Sequence, residues 1–575
     1  MRRGGSLRRA LGALALAGTL AAPGCHPSAA AGRIPAGWRL TSAHTAVAPH
    51  AMIASNAPLA SAAGVEILRR GGNAVDAAVA VGFALTVARP EAGNIGGGGF
   101  MSIRMADGRA AVVDYREVAP AAATRDMYLD ANGELTDKSV IGHLAVGVPG
   151  SVAGMADALR RYGTLPLADV LAPAIRLAEE GFVVDSILFR SIESSRELIA
   201  RFGGAAVFLP DSAPLAAGTR LRQPELARTL RAIAEQGPDA FYGGAIADLI
   251  VAEMERGAGI ITKADLAAYR PVWREPIRST YRGRTLLTVP PPSSGGVTIT
   301  ETLNILEQDT ALAPFASARY VHLLASAYQR AFIDRNAKLG DPAFVQVPLE
   351  ELTSKAYAAR LRATIGDMRA TPTPAVAAAM ADGPSTTHYS VVDAAGNAVA
   401  TTTTLNNSWG SGVFVGGGGF FLNDEMDDFA ARPGHPNMFG LVQGEANAIQ
   451  PGKRMLSAMA PTIVLDSAGA VQLVVGAAGG PTIITSVSQV ILNVIDHRMS
   501  LADAMRAPRL HHQALPDAVR YEEGGLAPAV EDSLRAMGYT LQPVRAIANV
   551  NAVRRVPGGW EGAVEPRRGG VPVGY

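Results

Sequence analysis

The sequence predicts an α/β protein, more closely α+β, whose β-sheets are covered on both faces. Three observations carry this. Two strand-like runs, His388 to Val392 and Val399 to Leu405, place apolar or Thr/Val residues on both faces, where a sheet with one wet face would alternate. Between Pro58 and Pro90 two helices are written: one ends at Gly71-Gly72, a left-handed stop, and the next starts at Asn73 with Asp76 three residues on. Phe100 to Arg104 and Ala111 to Tyr115 then read as strands joined through the Asp107-Gly108 turn.

The remaining elements follow in order. Gly93-Asn94-Ile95-Gly96-Gly97-Gly98-Gly99-Phe100 is not a phosphate cradle, because no Lys-Ser/Thr follows and the segment runs into a strand instead of opening a helix. Its glycines are expected to let backbones of different layers approach. Gly142 to Arg282 is helical and α/β in character, broken by Pro149, Pro166, Pro173 and Gly181, and reads as scaffold. Pro290 to Gly296 is a rigid turn before a helix from about Val297 to Leu306. The Ala-, Thr- and Pro-rich run from Thr371 to Asp382 has little to pack and is expected to be a mobile linker.

Chemistry concentrates just after that linker, in Gly383-Pro384-Ser385-Thr386-Thr387-His388-Tyr389-Ser390-Val391-Val392-Asp393. A cut before Thr386 would give this hydroxyl its own general base, the α-amine, whose ordinary pKa of roughly 7.7 to 8 leaves a neutral fraction near pH 7. The Gly396-Asn397 turn makes the two strands a hairpin. A symmetric loop from Asp393 to Asn397 sets Thr386 across from Thr404, hydroxyl facing hydroxyl.

Composition excludes several function classes. The chain has 575 residues, 48% hydrophobic, enough for a large core. A net charge of +1 provides no field to hold nucleic acid or an anionic membrane, so the ligand is expected to be small. Cys25 is the only cysteine, which leaves no disulfide, CxxC site or thiol nucleophile in the globular part. Residues 1–25 carry a basic start, an apolar stretch from Ala10 to Ala22 and small residues before Cys25, a bacterial secretory signal pattern. Ala22-Pro23-Gly24-Cys25 imperfectly resembles a lipoprotein box, so lipidation of Cys25 and plain cleavage near Ala22 or Ala30 both stay open. Either route leads to the periplasm or cell envelope. Residues 26–50 are expected to be a linker.

Further along, Asn423-Asp424-Glu425-Met426-Asp427-Asp428 lacks the alternating oxygens and central glycine of a calcium loop, and an ammonium ligand suits it better. No metal or other cofactor is expected. Gly476-Ala477-Ala478-Gly479-Gly480 is a glycine turn after a strand, whose backbone N–H groups could hold an oxyanion.

The segments TTHYSVVD, TTTTLNNSWGSG and LNDEMDDF, with the YREVAP run at Arg116, resemble the γ-glutamyltransferase (glutathione hydrolase) family over about Ala51 to Tyr575. The resemblance implies an N-terminal-nucleophile hydrolase, an αββα sandwich built from both fragments of a self-cleaved precursor. Cleavage would fall between Ser385 and Thr386, giving a large subunit, 51–385, and a small one, 386–575, that form a heterodimer. It also implies roles: Thr386 as nucleophile, Thr404 orienting it, and Gly479 and Gly480 as the oxyanion hole. Arg116 would clamp the substrate α-carboxylate, and Asn406, Glu425 and Asp428 would hold its α-amine. The other acids of that loop, Asp424 and Asp427, are expected to be solvated. Arg432 to Gly444 aligns with a lid in which Phe439 replaces the tyrosine of some members. One departure stands out: members commonly show two carboxylate-binding serines where this chain has Ser457-Ala458. The implied reaction is γ-glutamyl transfer from glutathione and related amides to water or to amino-acid and peptide amines. Alternatives are an acylase of the same superfamily acting on cephalosporin or glutaryl amides, kept open by Ala458, and a silent envelope binding protein.

Overall fold

A computed structural model describes residues 34–35, 37–40, 42–374, 386–567 and 569–575. Cys25 and Ser385 lie outside the described residues, as do the leader and residues 375–385 of the linker region.

Two seven-stranded sheets stack face to face, each built from residues before and after Thr386. The first runs Val573–Gly574, Met52–Ala54, Thr387–Val392, Ala398–Thr404, Gly98–Arg104, Ala110–Asp114, Val272–Arg274 in spatial order. The second runs His44–Ala48, Gly559–Val564, Asn549–Val556, Val471–Ala478, Thr462–Leu465, Arg284–Thr288, Ile277–Tyr281. Neighbouring strands pair antiparallel throughout both. Met52, Ala54, Val392, Ala400, Ile463, Val474 and Val553 fill the layer between the sheets. The outer faces are covered by helices, Pro58–Arg69 and Ala74–Ala88 on the first sheet and Gly295–Glu307 and Thr482–Ile495 on the second. Both faces of each sheet are therefore dry, which is why the central strands carry apolar residues without alternation.

Local signals explain several elements. Asn73 accepts from the backbone of Val75 and Asp76 while Asp76 accepts from Asn73 N, a complete capping box that starts the Ala74–Ala88 helix. That helix is buried along its whole length, so its alanines set how closely it sits on the sheet. Gly97 shows what the glycine run does: a Cβ there would lie 1.9 Å from the Thr404 carbonyl oxygen, a distance no side chain tolerates. The strand carrying Thr404 thus depends on a bare backbone beside it.

Two sequence expectations need correction. Part of the supposed 26–50 linker is structured: His44–Ala48 pairs with Gly559–Val564 as an edge strand, and buried Trp38 donates to Arg506 O at 2.6 Å. The linker expected from Thr371 is pinned at its start, where Thr373 is buried, donates its N–H to Asp517 at 2.8 Å and accepts from Gln329 Nε2 at 2.6 Å. Side-chain partners distant in sequence fix both segments, and composition does not show them.

Candidate active site

Thr387 pairs with Thr403, in a ladder that continues to Val392 opposite Ala398. The expected register therefore holds, and one step beyond the ladder Thr386 Oγ1 lies 3.2 Å from Thr404 Oγ1. Asn406 N–H donates to Thr404 Oγ1 at 2.8 Å, which fixes this hydroxyl's orientation. That bond needs the chain to turn sharply: Asn406 adopts φ +76°, a left-handed conformation asparagine tolerates better than most residues, and its Nδ2 donates to Asp424 O at 3.1 Å. His388 is nearby in sequence but is no base for Thr386. Its ring nitrogens bond Thr402 Oγ1 at 2.9 Å and Ser390 Oγ at 3.0 Å between the sheets, where burial lowers its pKa to about 3.

At the other side of the site, Arg116 is wholly buried at the end of the Ala110–Asp114 strand. Asp114 Oδ1 accepts from its backbone N–H at 3.0 Å, and Tyr269 OH donates to its carbonyl at 2.9 Å. Its Nη1 donates to Glu425 Oε1 and its Nη2 to Asp428 Oδ2, so the predicted carboxylate clamp and the predicted amine site face each other directly. Burial opposes the guanidinium charge, but Glu425, Asp428 and Glu117 outweigh it and raise the arginine's pKa. Burial likewise pushes the carboxyls of Glu425 and Asp428 up, against the pull of Arg116. Glu117, absent from the sequence-based site, stands 3.6 Å from Arg116 Nη1 and is pushed by burial to about 8. In effect the site's own opposite charges occupy one another.

Asp424 and Asp427 are buried, contrary to the expectation that they face solvent. Asp424 Oδ1 accepts from Asn407 N at 2.8 Å, steadying the turn after Thr404. Asp427 ties down the loop from Arg432 to Gly444: it accepts from Ser139 Oγ at 2.8 Å and from Met438 N at 3.1 Å, while burial raises its pKa to about 6. Phe439, next in that loop, lies over Gly480, so close that a Cβ there would come within 2.9 Å of its ring. Gly479 and Gly480 have φ +142° and +54° at the end of the Val471–Ala478 strand. The hydrogen bonds of their turn run from Thr482 and Ile483 to the two glycine carbonyls, leaving the glycine N–H groups outside it.

Ser457 is set by the proline turn: its N–H donates to Pro292 O at 2.8 Å, and its carbonyl accepts from Ser294 N and Oγ at 2.8 and 2.6 Å. Its hydroxyl accepts from Met459 N at 3.0 Å. Ser457, Thr386, Thr404, Asn406, Glu425, Asp428 and Gly480 line one cavity of about 20 Å³, room for about one water. Arg116 and Gly479 stand behind this lining. Ala458 lines it too, and so does Arg335, which the sequence reading missed because an arginine inside the Ala318–Lys338 helix carries no motif. A larger cavity, about 1150 Å³ beside Tyr242 and Tyr269, lies elsewhere and includes none of the residues that the sequence assigns to the site. Among the described residues no group of His, Cys, Asp and Glu is placed to hold a metal ion, and no helix is long and apolar enough to cross a membrane.

Comparison with known proteins extends this geometry. The sequence profile described as Gamma-glutamyltranspeptidase matches residues 60–575. The chain is 47% identical to the glutathione hydrolase proenzyme of Escherichia coli K12 over 516 residues, 88% of this chain and 89% of the relative. It is 43% identical to the acylase ACY 1 proenzyme of Pseudomonas sp. SE83, over 89% of this chain and 91% of the relative. Among solved structures, cephalosporin acylase from Bacillus halodurans superposes with TM-score 0.82 at 30% identity, covering 94% of this chain and 98% of the other.

Proposed function

Because the chain belongs to the γ-glutamyltranspeptidase family, we propose that it is a self-cleaving enzyme that takes γ-glutamyl groups from glutathione and related amides and passes them to water or to amine acceptors. The observation that carries the reading is the cavity itself, with a paired threonine hydroxyl on one wall and an acidic ammonium site on another. Processing comes first. Thr386 Oγ1 attacks the Ser385 carbonyl carbon, the peptide C–N bond breaks as the nitrogen takes a proton, and water hydrolyses the resulting ester to a Ser385 carboxylate and a free Thr386 amine. Residues 51–385 and 386–575 then remain together as two subunits, since each sheet draws strands from both.

In turnover the freed amine accepts the Thr386 hydroxyl proton as the oxygen attacks the γ-amide carbon. Thr404 steadies the oxygen, and the N–H groups of Gly479 and Gly480 receive the developing oxyanion. Collapse expels the leaving amine with the proton held by Thr386, leaving a γ-glutamyl ester. Water or an acceptor amine attacks that ester and restores the hydroxyl. Glu425, Asp428 and Asn406 hold the substrate ammonium, while Arg116 and Ser457 hold its carboxylate, so substrate exchanges into the Arg116 ion pairs. With about 20 Å³ free, the Phe439 lid must open for entry.

The acylase reading keeps specific support in the similarity to ACY 1. A glutaryl group retains the carboxylate of a γ-glutamyl group and lacks only its ammonium, so the acids and not Ala458 separate the two substrates. Hydrolysis of γ-glutamyl and glutaryl anilides by the processed protein tests this. Faster turnover of the γ-glutamyl compound is expected, and preference for the glutaryl compound would establish the acylase. The leader supports export to the periplasm or envelope, with Cys25 as an optional lipid anchor; intact mass of the exported protein distinguishes the two forms.

A further inference from the structure

Arg335 is the second guanidinium of the cavity, and its surroundings differ from those of Arg116. It is buried, and its Nε donates to Ser294 Oγ at 3.2 Å. Its Nη1 donates to Gln443 Oε1 at 2.9 Å and Asn336 Oδ1 at 3.0 Å. All these partners are neutral, and no carboxylate among the described residues pairs with it within 4.0 Å. Buried cations are ordinarily paired, because desolvating an unpaired charge is costly. Burial indeed lowers the pKa to about 10, relieved only by the more distant charge of Asp428, so the group still carries its proton at neutral pH.

We propose that Arg335 is a substrate-binding residue for the acyl donor's α-carboxylate, supplying the interaction that a second serine at position 458 would otherwise make. The assignment rests on the γ-glutamyl reading above and deepens it. Arg335 lines the cavity together with Ser457 and Ala458. Ser294 joins it to Ser457, since the same Ser294 hydroxyl that accepts from Arg335 donates to the Ser457 carbonyl. Arg116, by contrast, has both Nη groups on carboxylates. The acids around Arg116 outnumber it and leave negative charge for an ammonium, and Arg335 supplies a positive charge for a carboxylate. Together they match an amino-acid zwitterion. Gln443 and Asn336 keep the fork in place without neutralising it.

The test compares a γ-glutamyl anilide with a 4-aminobutyryl anilide, which lacks only the carboxylate. In Arg335→Gln, cleavage before Thr386 should proceed as in wild type. KM for the γ-glutamyl compound should rise about ten- to a hundredfold with kcat within about threefold. The preference for γ-glutamyl over 4-aminobutyryl, measured as the ratio of kcat/KM, should fall by the same factor, and Arg335→Lys should recover part of it. A merely structural role would damage both substrates alike and leave their ratio unchanged, and that result overturns the assignment. If Arg335→Gln fails to process, Gln443→Glu decides: a carboxylate beside Nη1 should cancel the cation and produce the same loss of preference, and an unchanged preference overturns the proposal. A processed wild type that does not turn over the γ-glutamyl anilide overturns the proposed function and this assignment together. Turnover without the change in preference overturns this assignment alone.

Discussion

Thr386 and Thr404 lie 18 residues apart and meet through one short hairpin, whereas Arg116 reaches Glu425 and Asp428 across 309 and 312 residues. The hydroxyl pair is set mainly by a five-residue loop and the right register, with Gly97 and Asn406 holding Thr404 from beside it. The charged cluster needs the whole sandwich to close, because only complete burial makes three carboxyl groups and a guanidinium share so small a space. The two regions should therefore fail differently: one through chemistry alone, the other through chemistry and stability together.

The largest effect is expected at the hydroxyl pair. Thr386→Ala should abolish both cleavage and turnover, a loss on the order of 10³-fold or more, while the unfolding midpoint stays near that of wild type. A denaturing gel and a γ-glutamyl anilide assay check this; two bands from the variant would assign processing to another group. At the charged cluster, Arg116→Ala and Asp428→Asn should leave cleavage intact but cut γ-glutamyl kcat/KM by about a hundredfold. Arg116→Ala should also lower unfolding stability by about 3 to 5 kcal/mol, because it strands two buried carboxylates. Loss of cleavage in both variants would make the cluster a folding element. Thr404→Val keeps the shape and removes the hydroxyl, and should reduce kcat about tenfold with KM little changed. A change in KM alone would move Thr404 from the nucleophile to the substrate. Smallest is Ala458→Ser, expected to lower KM for a γ-glutamyl substrate by up to about tenfold, and by less if Arg335 already fills the place. Worse binding would show that the missing hydroxyl is irrelevant or already replaced.

The same contrast explains what could be read from the sequence. The Asn73 capping box, the Gly71 stop and the hairpin register are written in neighbouring residues, and the structure reproduces them. The layered sheets were legible from strands without alternation. Site partners made by long-range packing were not. Nothing local to Asp424 or Asp427 says that these acids are buried, nor does the helix around Arg335 announce a cation without a carboxylate partner. Trp38 and Thr373 make the same point outside the site, since each is fixed by residues far along the chain.

The account's central claim is that Thr386 becomes a chain terminus and carries the acyl group. Its most direct test is mass spectrometry of purified protein, before and after a brief exposure to a γ-glutamyl substrate quenched in acid. The account predicts a fragment spanning 386–575 that begins with an unblocked threonine, and after quenching the same fragment heavier by one γ-glutamyl group, located on Thr386. An uncut chain, a different new terminus, or an acyl group on another residue would contradict it.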